Sequence, residues 1–273
     1  MASFDFDQAE GLRRMLQGPR PRIVTFLSAT PEDDKGAMLV NLGASLAQTG
    51  NEVLIVDACV QEYGVARRLG LNRSASLLQV ARQESALNQV IHPAPQGFSV
   101  VPMGTPHSQD DARRLGKTFD VLTHQSGIVI VDGELGPDGE FPVPLMATSE
   151  IVVQVSTSAT SITNAYALIK RLSLQLGRRP FGILVTGATE AEAKVVYDNM
   201  SAAATRYLAV KLGFMGAVPA DEYLHRAARL GRAVVDAFPL AGASVAFREL
   251  AGKFALHAMP QFGRQGGSAH FGS

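Results

Sequence analysis

The chain has 273 residues, of which 46% are hydrophobic and 18% charged, and its 25 basic residues balance its 25 acidic ones. This length and composition predict a folded protein with a full hydrophobic core. The zero net charge argues against a protein that binds nucleic acid or anionic membranes over its whole surface. A single cysteine excludes an intramolecular disulfide and a cysteine-rich zinc site.

Short β-rich runs alternate with longer helical stretches along the chain. Strands are predicted at 22–27, 52–56, 98–101, 128–131, 151–155, 181–185 and 212–218, and helices at 35–48, 76–83, 161–176, 190–207 and 221–230. Strands that are apolar throughout and separated by helices indicate an α/β fold, with a mostly parallel, doubly wound sheet flanked by helices.

The two ends of the chain do not follow this pattern. We predict a single α/β domain over residues 21–258, preceded by a short N-terminal segment, 1–20. Residues 259–273 are glycine-rich and without periodicity, so we expect a disordered tail. The apolar runs are far shorter than the roughly 20 residues of a membrane span, and the acidic start of the chain does not resemble a secretory signal. Both features predict a cytoplasmic protein.

The first turn from strand to helix is where a protein of this class would hold phosphate. A phosphate loop needs glycines whose N–H groups converge on phosphate, a lysine for charge, and a serine or threonine for Mg²⁺. Here Ala29 and Asp34 occupy the two glycine positions of G-x-x-x-x-G-K-[ST], Lys35 is retained, and Gly36 replaces the hydroxyl residue. The turn therefore lacks most of the groups that phosphate requires.

The residues before Lys35 also oppose phosphate. The carboxylates of 32–34 would repel a bound triphosphate by about 1 kcal/mol or more per close contact, and Pro31 has no N–H to donate. An ordinary acidic loop that caps a helix beside a solvated Lys35 accounts for the same residues.

Two aspartates end predicted strands elsewhere in the chain. Asp57 follows the run 52–56, and Asp132 follows the apolar run 128–131. Asp57 stands at the position of a switch-type acid. Asp132 completes a Walker B arrangement, which is suited to holding Mg²⁺ through water. Many buried strands end in an aspartate that only caps a turn, so this pattern has low specificity.

Three further stretches carry a resemblance to a known family. They are the segment DQAEGLR at 7–13, the segment TSITNAYALIK at 160–170, and residues 216–246 with GAVP, AFP and ASVA. With the strand pattern, they resemble the MinD/ParA-type deviant Walker ATPases, and within these the FlhG (FleN) group of flagellar-number regulators. The resemblance extends from residue 5 to about residue 258 and implies a P-loop NTPase fold of the MinD type.

The chain departs from this family at most positions that handle the nucleotide. The family's signature lysine falls at Thr30, its hydrolytic aspartate at Cys59 and its adenine-reading asparagine at Thr186. The retained positions are Lys35, Asp57, Asp132 and Gly136. We therefore predict a pseudo-ATPase with a remnant nucleotide site, no catalytic residue and no metal site. ATP with Mg²⁺ is the expected cofactor only if the site still functions.

The resemblance also implies partners. Asp7, Gln8, Ala9, Leu12 and Arg13 would bind a signal-recognition-type GTPase of the FlhF kind, through an apolar stripe of Ala9, Leu12 and Leu16. The alternative for this segment is a helix that packs on its own domain. A flagellar master transcription activator, basal-body components and a second copy of the chain are further partners that the resemblance implies, with a peripheral location at the flagellated pole. We interpret the stripe of Phe247, Leu250, Ala251 and Phe254 as a core-facing helix, which leaves no evident membrane-binding helix.

Two other interpretations fit the sequence. The first is a working MinD/ParA-type ATPase with an atypical phosphate loop and a nucleotide-dependent dimer. The second is a MinD/ParA relative that acts in chromosome partitioning or cellulose synthesis. The segment 7–13 argues against the second, because such relatives generally lack it.

Overall fold

The computed structural model describes residues 21–30, 32–59, 64–71, 75–136 and 138–256. The predicted partner-binding segment at 7–13 and the glycine-rich tail both lie outside these ranges. None of the helices within them combines the length and hydropathy that a membrane span requires.

In the described residues, eight strands form one sheet in the order β3-β4-β2-β5-β1-β6-β7-β8. The pairing is parallel throughout, except that β3 is antiparallel to β4. The strands are β1 (Arg22–Ser28), β2 (Val53–Asp57), β3 (His92–Pro93), β4 (Ser99–Pro102), β5 (Ile128–Asp132), β6 (Glu150–Val155), β7 (Phe181–Thr186) and β8 (Leu212–Val218). The predicted mostly parallel sheet is confirmed.

Helices cover both faces of the sheet. They are α1 (Glu32–Gln48), α2 (Val65–Arg68), α3 (Leu77–Ala81), α4 (Leu87–Val90), α5 (Gln109–Thr123), α6 (Pro144–Thr148), α7 (Ala159–Leu176), α8 (Glu190–Leu208), α9 (Glu222–Arg229), α10 (Val234–Ala237) and α11 (Gly242–Leu256). One face packs against α1, α2, α9, α10 and α11, and the other against α3–α8. This two-sided cover explains why the central strands are apolar on both faces.

The helix α11 confirms the interpretation of the last apolar stripe. Phe247, Leu250, Ala251 and Phe254 are each at most 2% exposed and belong to the core that α11 shares with α1. Since this stripe is used inside the fold, it is not available as a membrane-binding surface.

The helix α5 is absent from the prediction. It is strongly polar, and only Leu115, Phe119, Leu122 and Thr123 are buried along its 15 residues. Its start does carry a local signal, because the Ser108 hydroxyl accepts a hydrogen bond from the N–H of Asp111.

Candidate functional site

The sheet brings three of the four retained residues together. Asp57 and Asp132 end adjacent parallel strands and lie opposite each other in the register of β2 and β5. Lys35 reaches them from α1, with its Nζ 2.8 Å from Oδ1 of Asp132. Nζ also donates a hydrogen bond to the carbonyl oxygen of Gly133. The site therefore lies at the carboxyl ends of the central strands, where open α/β sheets bind their ligands.

This ion pair is buried. The side chain of Lys35 is 10% exposed and that of Asp132 is not exposed at all. Burial lowers the pKa of Lys35, but the carboxylates of Asp132 and Glu134 more than offset it and raise that pKa above its ordinary value. Lys35 is thus charged at neutral pH and bonded to Asp132 and Gly133, and the interpretation of a solvated Lys35 is wrong.

Both aspartates hold the start of α2. The Asp57 carboxylate accepts hydrogen bonds from the N–H groups of Cys59, at 3.0 Å, and Ala66, at 2.9 Å. Oδ2 of Asp132 accepts one from the N–H of Val65, at 3.0 Å. Carboxylates placed at the N-terminus of a helix satisfy its unpaired N–H groups and interact favourably with its dipole. The carboxylates of Asp57 and Asp132 are therefore bonded to the backbone of this chain.

The close approach between α2 and Asp57 requires a glycine. A Cβ atom built on Gly64 would lie 2.4 Å from Oδ1 of Asp57. Such a distance is far below van der Waals contact, so no larger side chain fits at residue 64 without moving the carboxylate. Sequence reasoning did not single out Gly64, because the contact depends on how the segment after β2 returns to the sheet.

The thiol of Cys59 belongs to the same cluster. Its Sγ donates a hydrogen bond to Oε2 of Glu134 at 3.4 Å, and the residue is 7% exposed. Burial raises the pKa of Cys59 to about 12, and the neighbouring Asp132 and Glu134 carboxylates add to this against the opposing charge of Lys35. The prediction of a small, buried cysteine at a strand end is confirmed.

The fourth retained residue, Gly136, is used in a local turn. Its N–H donates to the carbonyl oxygen of Glu140, and its own carbonyl accepts from the N–H of Gly139. Gly136 therefore forms a turn with Gly139 and Glu140, and its place in the nucleotide site stays a prediction.

The connection between β1 and α1 is short. The strand ends at Ser28 and the helix begins at Glu32, three residues ahead of the predicted start. In between, the Ser28 and Thr30 hydroxyls lie 2.7 Å apart and the Thr30 N–H donates to Ser28. Residues 32–34 are thus helical, with their N–H groups aligned along the helix axis.

A cavity of about 640 Å³ lies beside α1, with Ala37, Met38, Val40 and Asn41 in its wall. Thr186, at the family's adenine-reading position, lies in its wall with Gln154. The fully buried Gln154 donates to the Thr186 hydroxyl at 3.1 Å. The volume of the cavity lies in the range of small-molecule sites.

The comparisons with known proteins agree with this architecture. The chain is 31% identical to the antiactivator FleN of Pseudomonas aeruginosa over 221 residues, which cover 78% of this chain and 79% of FleN. It is 24% identical over 225 residues to an uncharacterized ATP-binding protein of Methanocaldococcus jannaschii, covering 80% and 82% of the two chains. No protein-family model matches the chain.

Solved structures show the same fold. The MinD cell division protein of Aquifex aeolicus superimposes with a TM-score of 0.66 at 17% identity, covering 88% of this chain and 98% of that one. The Pyrococcus horikoshii MinD complexed with Mg-ADP gives a TM-score of 0.64 at 16% identity, covering 88% and 99%. With the similarity to FleN over most of both chains, the conclusion is that this chain belongs to the MinD/ParA family of P-loop proteins, in the group of FleN.

Proposed function

We propose that this protein regulates flagellar number or placement by binding other proteins, and that it has lost or nearly lost ATP hydrolysis. The loss of ATP hydrolysis is supported by the buried cluster of Lys35, Asp57 and Asp132. Its charges are paired with each other and with backbone N–H groups.

The cluster does not fit a magnesium-nucleotide complex. Mg²⁺ demands near-octahedral oxygen ligands at about 2.0–2.1 Å. In this site Oδ1 of Asp132 faces the Lys35 ammonium and Oδ2 accepts from Val65, while Asp57 accepts from two N–H groups. A magnesium ion bound directly by these carboxylates would have to displace Lys35 and take the caps from the start of α2. Gly36 offers no hydroxyl to compensate.

The start of α1 supports the same proposal. A phosphate loop presents several backbone N–H groups to one point. Here the helix already begins at Glu32, so residues 32–34, which would form the last part of that loop, are helical. Acidic residues in the first turn of a helix are stabilised by its dipole. The acidic residues 32–34 of the sequence are therefore accounted for by a helix start without any phosphate.

Cys59 supports the loss of hydrolysis in particular. It stands where the resemblance places the aspartate that assists the attacking water. A general base must be deprotonated near its working pH, whereas burial raises the pKa of this thiol to about 12. A protonated thiol bonded to Glu134 does not accept a proton from water at neutral pH.

The similarity to FleN supports the regulatory role. An antiactivator acts on a transcription activator, and we extend this partner class to the present chain. The segment Asp7–Arg13, outside the described residues, is proposed to bind a signal-recognition-type GTPase of the FlhF kind through Asp7, Gln8, Ala9, Leu12 and Arg13. A homodimer, basal-body partners and a polar location are proposed on the same resemblance.

Calorimetry with ATP and Mg²⁺, beside a phosphate-release assay, tests the loss of nucleotide chemistry. We expect no heat of micromolar binding and no turnover, and no change in molar mass on light scattering when ATP is added. Pseudomonas aeruginosa FleN serves as the comparison protein in all three measurements. Micromolar binding with turnover would instead establish a working ATPase with an atypical loop.

Stimulation of GTP hydrolysis by an FlhF-type GTPase tests the partner proposal. Deleting residues 1–18 or replacing Arg13 with alanine should abolish stimulation, while Arg14→Ala, beside the motif, should retain most of it. Full stimulation by the deletion variant would remove this assignment and leave the conclusion about ATP untouched.

A further inference from the structure

The cavity of about 640 Å³ beside α1 lies among the helices on one face of the sheet. Met38 and Asn41 line it from α1, Leu224 and Ala228 line it from α9, and Leu69 lines it from the residue after α2. We call this feature the α1–α9 cavity. Its apolar side chains favour a ligand that removes their surface from water, and its volume suits a small molecule.

Charges of both signs meet in the wall of this cavity, which holds Arg68, Arg232, Asp221, Glu222 and the imidazole of His225. The Asp221 carboxylate accepts hydrogen bonds from two backbone N–H groups, at the starts of α9 and α11, each at 2.9 Å. Arg232 donates to a backbone carbonyl oxygen at 3.0 Å. A charged ligand would meet like and opposite charges together and would lose its own water shell. The wall therefore favours an uncharged ligand.

Two glutamine side chains in the wall each have a buried Oε1 that accepts no hydrogen bond from the described part of the chain. Gln154 is fully buried, and its Nε2 donates to the Thr186 hydroxyl at 3.1 Å. Gln96 donates through Nε2 to the carbonyl oxygen of Gly231, also at 3.1 Å. A buried acceptor without a donor is unfavourable, and an amide oxygen can accept from an N–H or O–H group of a bound molecule. The wall therefore favours a ligand that carries such a donor.

We propose that the α1–α9 cavity binds an uncharged, largely apolar small molecule that carries at least one N–H or O–H group. Its apolar body contacts Met38, Leu69 and Leu224, and its donor bonds to Oε1 of Gln154. Such a ligand touches α1 and α9 at once, so its binding stabilises the packing of these two helices. The proposal is independent of the loss of ATP hydrolysis, because none of these residues belongs to the buried cluster at the ends of β2 and β5.

N-phenyl-1-naphthylamine is a suitable probe, because it is uncharged and apolar and has a single N–H group. Its fluorescence rises and shifts to the blue when it leaves water. Titration into the full-length protein should show saturable binding at one site per chain, with a micromolar dissociation constant. The anionic counterpart 1-anilinonaphthalene-8-sulfonate should bind at least about tenfold more weakly, because the wall offers its sulfonate like and opposite charges in exchange for water.

Two variants locate the probe in the cavity. Gln154→Leu removes the acceptor and should weaken binding about three- to tenfold, the scale of one hydrogen bond. Ala228→Phe adds a ring at an exposed position of the α9 wall, so it narrows the cavity without disturbing the core and should weaken binding at least about tenfold. The matched control is Ala167→Phe, the same change at an exposed position of α7 on the other face of the sheet, which should leave the affinity unchanged.

The absence of saturable probe binding to the unaltered chain would overturn the proposal, and so would equal losses from Ala228→Phe and Ala167→Phe. An unchanged affinity of Gln154→Leu would overturn the assigned hydrogen bond, and equal affinity for the anionic counterpart would overturn the uncharged class. Displacement of the probe by ATP with Mg²⁺ would overturn this proposal together with the loss of nucleotide binding. A probe that does not bind at all would leave the proposed function untouched, so the two failures are distinguishable.

Discussion

Replacing Lys35 with methionine keeps the length of a buried side chain and removes its charge. The substitution leaves Asp132, which is fully buried, with the Val65 N–H as its described hydrogen-bond donor. Breaking a buried ion pair by removing one partner costs about 3–5 kcal/mol of unfolding free energy. For a chain of this size that is a fall in Tm of about 6–20 °C.

Denaturant unfolding of Lys35→Met, Asp132→Asn and the double variant measures the interaction energy between the two side chains. Since the double variant removes both charges, it should recover part of the loss, with a coupling energy of at least about 1.5 kcal/mol. Lys194→Met is the matched control, because the Lys194–Asp198 pair is more than half exposed on both sides and should contribute at most about 0.5 kcal/mol.

The stability that the Lys35 charge contributes depends on pH, and the direction of this dependence follows from the pKa of Lys35. The folded pKa of Lys35 lies above its ordinary value of 10.5, so the folded state holds the proton more tightly. The stability due to the lysine charge is therefore fully present below pH 10.5 and is lost as the pH rises through the higher folded value. A loss below about 1 kcal/mol for Lys35→Met at pH 7, or a coupling energy near zero, would refute the reasoning that the buried ion pair stabilises the folded chain.

Three further predictions concern the same cluster. Gly64→Ala should lower the unfolding free energy by about 1–3 kcal/mol because its Cβ would collide with Asp57. The control Gly213→Ala, where a Cβ has open space, should lower it far less. Equal losses in a urea titration would contradict this prediction. In the folded protein, Cys59 should react with a disulfide reagent at pH 8 about 1000-fold more slowly than a free cysteine, because burial raises its pKa from 9.0 to about 12. Rapid labelling of the native protein would contradict this. Stability should also fall as the pH rises from 9 towards 12, since the unfolded state then loses the Cys59 proton first; Cys59→Ala should remove that part of the slope, and an unchanged slope would count against the raised pKa.

The regular alternation of apolar strands and helices made the fold predictable. Runs such as 128–131 and 151–155 are apolar at every position, which only a sheet covered on both faces accommodates. The helix α5 escaped prediction because it buries one narrow stripe and exposes a polar surface, so its average composition resembles a loop. The short antiparallel β3 escaped because it is two residues long and is defined by its pairing with β4.

By itself, the sequence determined the fold class, the family resemblance, and which side chains the phosphate site lacks, since these follow from residue identity and short-range order. It also placed Lys35, Asp57 and Asp132 at the ends of secondary-structure elements. Only the tertiary structure decided which contacts those side chains make. Lys35 pairs with Asp132 because α1 crosses the end of β5, and the segment after β2 returns so closely that Gly64 allows both aspartates to cap α2. These contacts join residues separated by up to 97 positions, and no local pattern encodes such a distance.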